Sequence, residues 1–112
     1  MGSELSARLA KIAPEPKRRS PKWLSSSVPK NRWENEESQW SSAHYHTNNL
    51  LSPVLFEETS RYLPPNALTI EVAPHGLLQA ILKKSLPTAV HISLAKRANK
   101  DNTSFFLQAL GK

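Results

Sequence analysis

The stretch from Thr69 to Lys84, TIEVAPHGLLQAILKK, decides the fold, because in it a strand pattern passes directly into a helix pattern. Leu68, Ile70 and Val72 alternate with Thr69 and Glu71, which sets the three apolar residues on one face of an extended segment. Pro74, His75 and Gly76 break that alternation. Leu77, Leu78, Ile81 and Leu82 then recur at helical spacing, with Lys83 and Lys84 in the last turn, where positive charge offsets the exposed carbonyls. Strand, three-residue turn and helix are the opening of a parallel α/β unit, and the apolar run Ala89 to Leu94 (AVHISL) supplies the returning strand.

Outward from this stretch, Lys100 to Lys112 fits a final helix, capped by Asn99 or Asp101, with Phe105, Phe106, Ala109 and Leu110 on its apolar face and Gly111 at its end. On the N-terminal side, Ala43 to Leu51 reads as a short helix. Ser52-Pro53 then reads as a cap and first-turn proline for a second helix from Val54 to about Tyr62, stopped by Pro64 and Pro65. Leu5, Leu9 and Ile12 mark an amphipathic helix over Ser3 to Ile12, with Ser3 placed to cap it and Pro14 and Pro16 ending it. Trp23 to Val28 (WLSSSV) reads as a short strand closed by Pro29. Asn31 to Ser42 has neither periodicity and reads as a surface loop pinned by Trp33 and Trp40. The organisation predicted is a helix and strand over 1–30, a polar loop over 31–43, and a helix-helix-strand-helix-strand-helix portion over 44–112. The fold class is α/β, with a partial three-layer parallel sheet and flanking helices.

With 112 residues the chain has room for one domain and a modest core, and its nine prolines against three glycines predict a substantial share of loop. The absence of cysteine excludes disulfide and thiol chemistry and favours an intracellular, here cytoplasmic, setting. No apolar run approaches the length of a membrane span, and no charged-then-apolar leader opens the chain.

The net charge of +6 invites a nucleic-acid reading, for which the site is the cluster Lys17, Arg18, Arg19, Lys22. No helix carries basic residues along one face, and no aromatic-plus-glycine RNA-binding motif is present, so a solvated basic surface accounts for the cluster better. Glu34, Glu36 and Glu37 lie on a polar stretch and read as solvated charge. His44 and His46 share a face only in a strand, yet their segment reads as helix, so no metal site is predicted.

The chemistry of nucleophilic acyl transfer in an α/β fold needs a serine on a sharp strand-to-helix turn flanked by glycines. Here the turn carries Pro74-His75-Gly76 and no serine, and the same shortage of glycine removes any phosphate-cradling loop. His75 beside a helix start has no nucleophile to serve and reads as a packing or capping residue.

At these residues the chain resembles a known family. PKRRSPKWLSSSVP (Pro16 to Pro29), NNLLSPVLFEE (Asn48 to Glu58), IEVAPHGLLQAILKK (Ile70 to Lys84) and DNTSFFLQALG (Asp101 to Gly111) are similar, in order and spacing, to successive blocks of the malonyl/acetyl transferase domain of animal-type fatty acid synthases. Related blocks occur in polyketide synthase acyltransferases and in stand-alone malonyl-CoA:acyl-carrier-protein transacylases. The resemblance implies the C-terminal part of the large α/β subdomain of such a domain. It implies a ping-pong reaction in which a histidine-activated serine takes an acyl group from malonyl-CoA or acetyl-CoA and passes it to the phosphopantetheine arm of acyl carrier protein. The family's G-H-S-x-G serine, its malonyl-gripping arginine and its histidine base all precede the first block matched here, so no catalytic residue is expected in this chain and it is expected to be inactive alone. The partners implied are the rest of the synthase polypeptide and acyl carrier protein. One position carries over. In the family, a glutamine or its equivalent just ahead of the N-P or S-P step uses its main-chain carbonyl to hold the catalytic histidine's second ring nitrogen, and Asn49 matches that place.

The alternative is a small basic adaptor that binds protein or nucleic acid through Lys17 to Lys22. RNA binding measured against salt separates the two. The adaptor requires steep salt-dependent binding, whereas the acyltransferase reading predicts none of consequence.

Overall fold

The computed structural model describes residues 1–112, which fall into two compact units, Met1–Tyr62 and Leu63–Lys112. The second contains the strand-to-helix stretch. Its elements are β3 (Leu68–Glu71), α4 (Gln79–Ser85), β4 (Val90–Ser93) and α5 (Asn102–Leu110). β3 and β4 pair in parallel with Leu68 opposite Val90 and Glu71 opposite Ser93, the crossover unit predicted from the sequence. The class is therefore α/β. Ile92, Leu82, Leu86 and Ala109 form the small buried core, whereas Leu68, Ile70 and Val90 remain more than half exposed on the same pair of strands.

The handover from strand to helix is made by one side chain. The Glu71 carboxylate, 9% exposed, takes the N–H groups of Leu77 and Leu78 at 2.8 and 2.9 Å through Oε1. Leu78 is the cap residue of α4, which begins at Gln79, and Leu77 lies one residue before it with its N–H shared with the His75 carbonyl at 2.8 Å. The second carboxylate oxygen, Oε2, is buried without a partner. At the far end, Asp101 caps α5 by accepting the Ser104 N–H at 3.1 Å and the Ser104 hydroxyl at 2.8 Å, and Asn99 instead donates to the Asp101 carbonyl. Gly111 ends α5 with φ −78°, so it closes the helix through its N–H and not through a left-handed turn.

In the first unit, α1 (Gly2–Ile12) packs along α2 (Ala43–Leu51), with Leu5 and Leu9 half-buried and Ile12 exposed. Ser3 does not cap α1, which begins one residue earlier with no side-chain cap. Ser42 caps α2 by accepting the Tyr45 N–H at 3.1 Å. Ser52 closes α2 and does not open the next helix, and α3 is only Phe56–Ser60. Pro53 accounts for the end of α2, because it has no N–H to donate to the last turn of that helix.

Trp23 to Val28 is not a strand. Its carbonyls are taken one after another by partners outside any ladder: Ser25 by the Thr59 hydroxyl, Ser26 by the Leu55 N–H, Ser27 by the Asn48 amide and Val28 by the Trp33 indole. The Ser25 hydroxyl also takes the Ser27 N–H, a local turn that competes with extended pairing. The strands that do form are β1 (Lys17–Arg18) and β2 (Trp40–Ser41), paired antiparallel. The segment 31–43, read as a polar loop, thus contains β2, a 3-10 turn at Glu36–Ser38 and part of another at Lys30–Arg32. Trp33 is pinned by its indole bond to Val28, whereas Trp40 stays exposed.

Glu71→Ala, which strands the Leu78 N–H and leaves the Leu77 N–H to the His75 carbonyl alone, is expected to destabilise residues 63–112 by about 1–3 kcal/mol. Glu71→Gln, which keeps one acceptor, should cost less, and amide hydrogen exchange of Leu77 and Leu78 reads the difference. The Ser104 contacts hold the Asp101 carboxyl below the usual carboxylate range. A depressed folded-state value means that the cap contributes above the unfolded value, about 3.9, and is lost as pH falls through the folded one. The α5 shifts should therefore lose helicity at acid pH in the native chain and show no such step in Asp101→Ala.

Candidate functional site

Two places carry side chains arranged for more than packing, one in each unit. In the first unit it is the C-terminal turn of α2 against the loop Ser25–Val28. Asn49 is exposed at this turn, and its Oδ1 accepts the Ser27 hydroxyl at 2.5 Å. Asn48 donates its amide to the Ser27 carbonyl at 3.0 Å and accepts the Ser52 hydroxyl at 3.0 Å. The main-chain carbonyl of Asn49 would ordinarily take the N–H four residues on, but that residue is Pro53, and the helix ends at Leu51. The geometry therefore clamps the Asn49 side chain and leaves its carbonyl with no helical donor. Such an acceptor can fix a partner's N–H.

Behind this turn lies the polar core of the unit. Tyr45 is 4% exposed and Ser25 1%, and their hydroxyls meet at 2.6 Å. The Arg19 guanidinium lies 4.9 Å from the centre of the Tyr45 ring and 5.1 Å from that of Trp23, and the two rings meet edge to face at 5.8 Å. The same guanidinium donates to the carbonyls of Ser38 and Trp23. Arg19 is therefore committed to the fold, and only Lys17, Arg18 and Lys22 of the basic cluster remain on the surface. Sequence reasoning missed this role. The signal available was an arginine four residues before a tryptophan in a segment rich in prolines, which does not tell a stacked arginine from a solvated one.

The other sequence candidates are dispersed. His46 Nε2 lies 2.9 Å from the Ser41 hydroxyl, His44 Nε2 lies 3.6 Å from Glu37, and no third His, Asp or Glu joins either. Glu34 and Glu36 lie in exposed turns. In the second unit, His75 sits in the turn between β3 and α4, with its carbonyl taking the Leu77 N–H at 2.8 Å, and no serine or other nucleophile occupies that turn. Around it lies a cavity of about 540 Å³ lined by both connections that follow the strands. No helix is long and apolar enough to cross a membrane.

A family model described as "Acyl transferase domain" matches residues 1–112, the full length of the sequence.

Replacing Arg19 by methionine removes the stacked cation and two hydrogen bonds at once. The expected loss is about 2–3 kcal/mol in residues 1–62, with a change in tryptophan fluorescence from Trp23. Arg18→Met, on the surface, should change stability by less than about 0.5 kcal/mol, and equal losses from the two would contradict the role given to Arg19.

Proposed function

We propose, from the premise that this chain belongs to the acyl transferase domain family, that it forms the C-terminal part of the large α/β subdomain of a malonyl/acetyl transferase of an animal-type fatty acid synthase. In this reading the domain moves an acyl group from coenzyme A to the phosphopantetheine arm of acyl carrier protein in the cytoplasm. These 112 residues supply its scaffold and not its nucleophile. The observation that carries the reading is the strand-to-helix turn after Glu71. It joins a parallel strand to a helix through residues 72–78, a longer connection than the sharp turn that carries a nucleophilic serine, and it holds Pro74-His75-Gly76, the only other glycines being Gly2 and Gly111. The serine, its histidine base and the arginine for the malonyl carboxylate then come from residues outside this sequence.

What the chain contributes to the reaction is the carbonyl of Asn49. A catalytic histidine must keep one ring nitrogen free to take the serine proton, and a fixed acceptor on the other nitrogen sets that tautomer and the ring's orientation. The absence of an N–H at Pro53 leaves the carbonyl free for this, and the Ser27 hydroxyl holds the residue in place. The change from a family glutamine to asparagine is immaterial to a role played by the main chain.

In a domain completed with the segment that carries the G-H-S-x-G elbow, acyl transfer to acyl carrier protein should appear and should depend on the present residues. Pro53→Ala, which gives the Asn49 carbonyl an N–H, should lower kcat about tenfold with little change in KM and displace the histidine limb of the pH profile. Asn49→Gln, which keeps the main-chain carbonyl but lengthens the side chain that Ser27 holds, should lose less than Pro53→Ala. A Pro53→Ala enzyme with parental kcat and pH profile would remove the role assigned to this carbonyl, while failure of the completed domain to transfer at all would remove the broader reading.

A further inference from the structure

In residues 63–112 the charge is one-sided and the carboxylates are already engaged. Six lysines and arginines face two acids, Glu71 and Asp101, a net charge of +4. Glu71 is held by the Leu77 and Leu78 N–H groups and Asp101 by Ser104, and all three ion pairs of the protein lie in residues 1–62. Three of the six cations, Lys96, Arg97 and Lys112, line the cavity of about 540 Å³ in this unit, and no Asp or Glu side chain lines it. The cavity lies past the carboxyl ends of β3 and β4, between the His75 turn and the connection that follows β4, the place where parallel sheets hold their ligands.

The basic side is a constructed turn and not a loose chain. The Lys96 N–H donates to Asn102 Oδ1 at 3.1 Å, and the Asn99 N–H donates to the Lys96 carbonyl at 3.2 Å. Between them Ala98 sits at φ 58°, the only non-glycine residue of the protein in the left-handed region, a conformation that alanine keeps only where its surroundings impose it. Ile92 and Phe105 add apolar surface to the lining. His91 also borders it but has both ring nitrogens engaged, Nδ1 with the Thr69 hydroxyl and Nε2 with the Leu86 carbonyl.

We propose that this cavity is a binding site for a small phosphate-bearing molecule with an apolar part, the phosphate held by Lys96 and Arg97 and the apolar part set against Ile92 and Phe105. The site is defined by its own charge and shape and does not rest on the acyl-transfer reading.

The test is titration of the full 112-residue chain with phenyl phosphate and, separately, inorganic phosphate at fixed ionic strength, followed by the amide shifts of Gly76 and Ser93. Both probes should saturate, with phenyl phosphate the tighter. Lys96→Ala/Arg97→Ala should weaken phenyl phosphate about tenfold. Lys96→Arg/Arg97→Lys, which keeps the charges, should restore most of the affinity. Lys83→Ala/Lys84→Ala removes the same charge outside the cavity and should have little effect. Equal losses from the two alanine pairs, or shifts that never saturate, would reduce the site to diffuse attraction and overturn the proposal. Equal affinity for the two probes would overturn the apolar half of it.

Discussion

The bond between the Glu71 carboxylate and the N–H groups of Leu77 and Leu78 is the contact on which residues 63–112 depend. A parallel strand that passes into a helix within a few residues must satisfy the first helical donors without a preceding turn of helix to do so. Glu71 does part of this from the last position of β3, taking the N–H of the cap residue Leu78 and sharing that of Leu77 with the His75 carbonyl. The same constraint recurs in residues 1–62 in another form. With strands of two residues, most main-chain groups lie outside any ladder, and serine, threonine, asparagine, tryptophan and arginine side chains take them up.

This explains which parts of the fold were legible in the sequence. The parallel pair β3–β4, the helix between them and the cap of α5 by Asp101 follow from alternation, helical spacing and cap chemistry, all local properties. The stretch Trp23–Val28 has the composition of a strand, but its carbonyls are claimed by Asn48, Thr59, Leu55 and Trp33, residues 5 to 34 positions away, and no local rule reports those claims. Pro53 was misread for a related reason. A proline after a serine marks a helix start and a helix stop with equal force, and the neighbouring Asn48–Ser52 bonds made it a stop.

The functional site divides the same way. The lack of a serine at the strand-to-helix turn is plain in the sequence, as is the position of Asn49. What the sequence does not show is that Ser27 clamps the Asn49 side chain while Pro53 deprives its carbonyl of a donor, so that a single residue is both fixed and available. Nor does it show that Arg19, nominally the centre of a basic surface cluster, is stacked against Tyr45 and Trp23 and bonded to two carbonyls. Both facts turn residues that look solvated into parts of a frame, and membership of the acyl transferase domain family gives that frame its purpose.

The central claim is that this frame holds a reaction whose nucleophile it does not carry. Intact-mass measurement after incubation with malonyl-CoA tests it directly. The account predicts that the mass of the 112-residue chain stays unchanged under conditions where a complete acyl transferase domain becomes acylated on its elbow serine. A stoichiometric acyl adduct on any serine of this chain, released by acyl carrier protein, would contradict it.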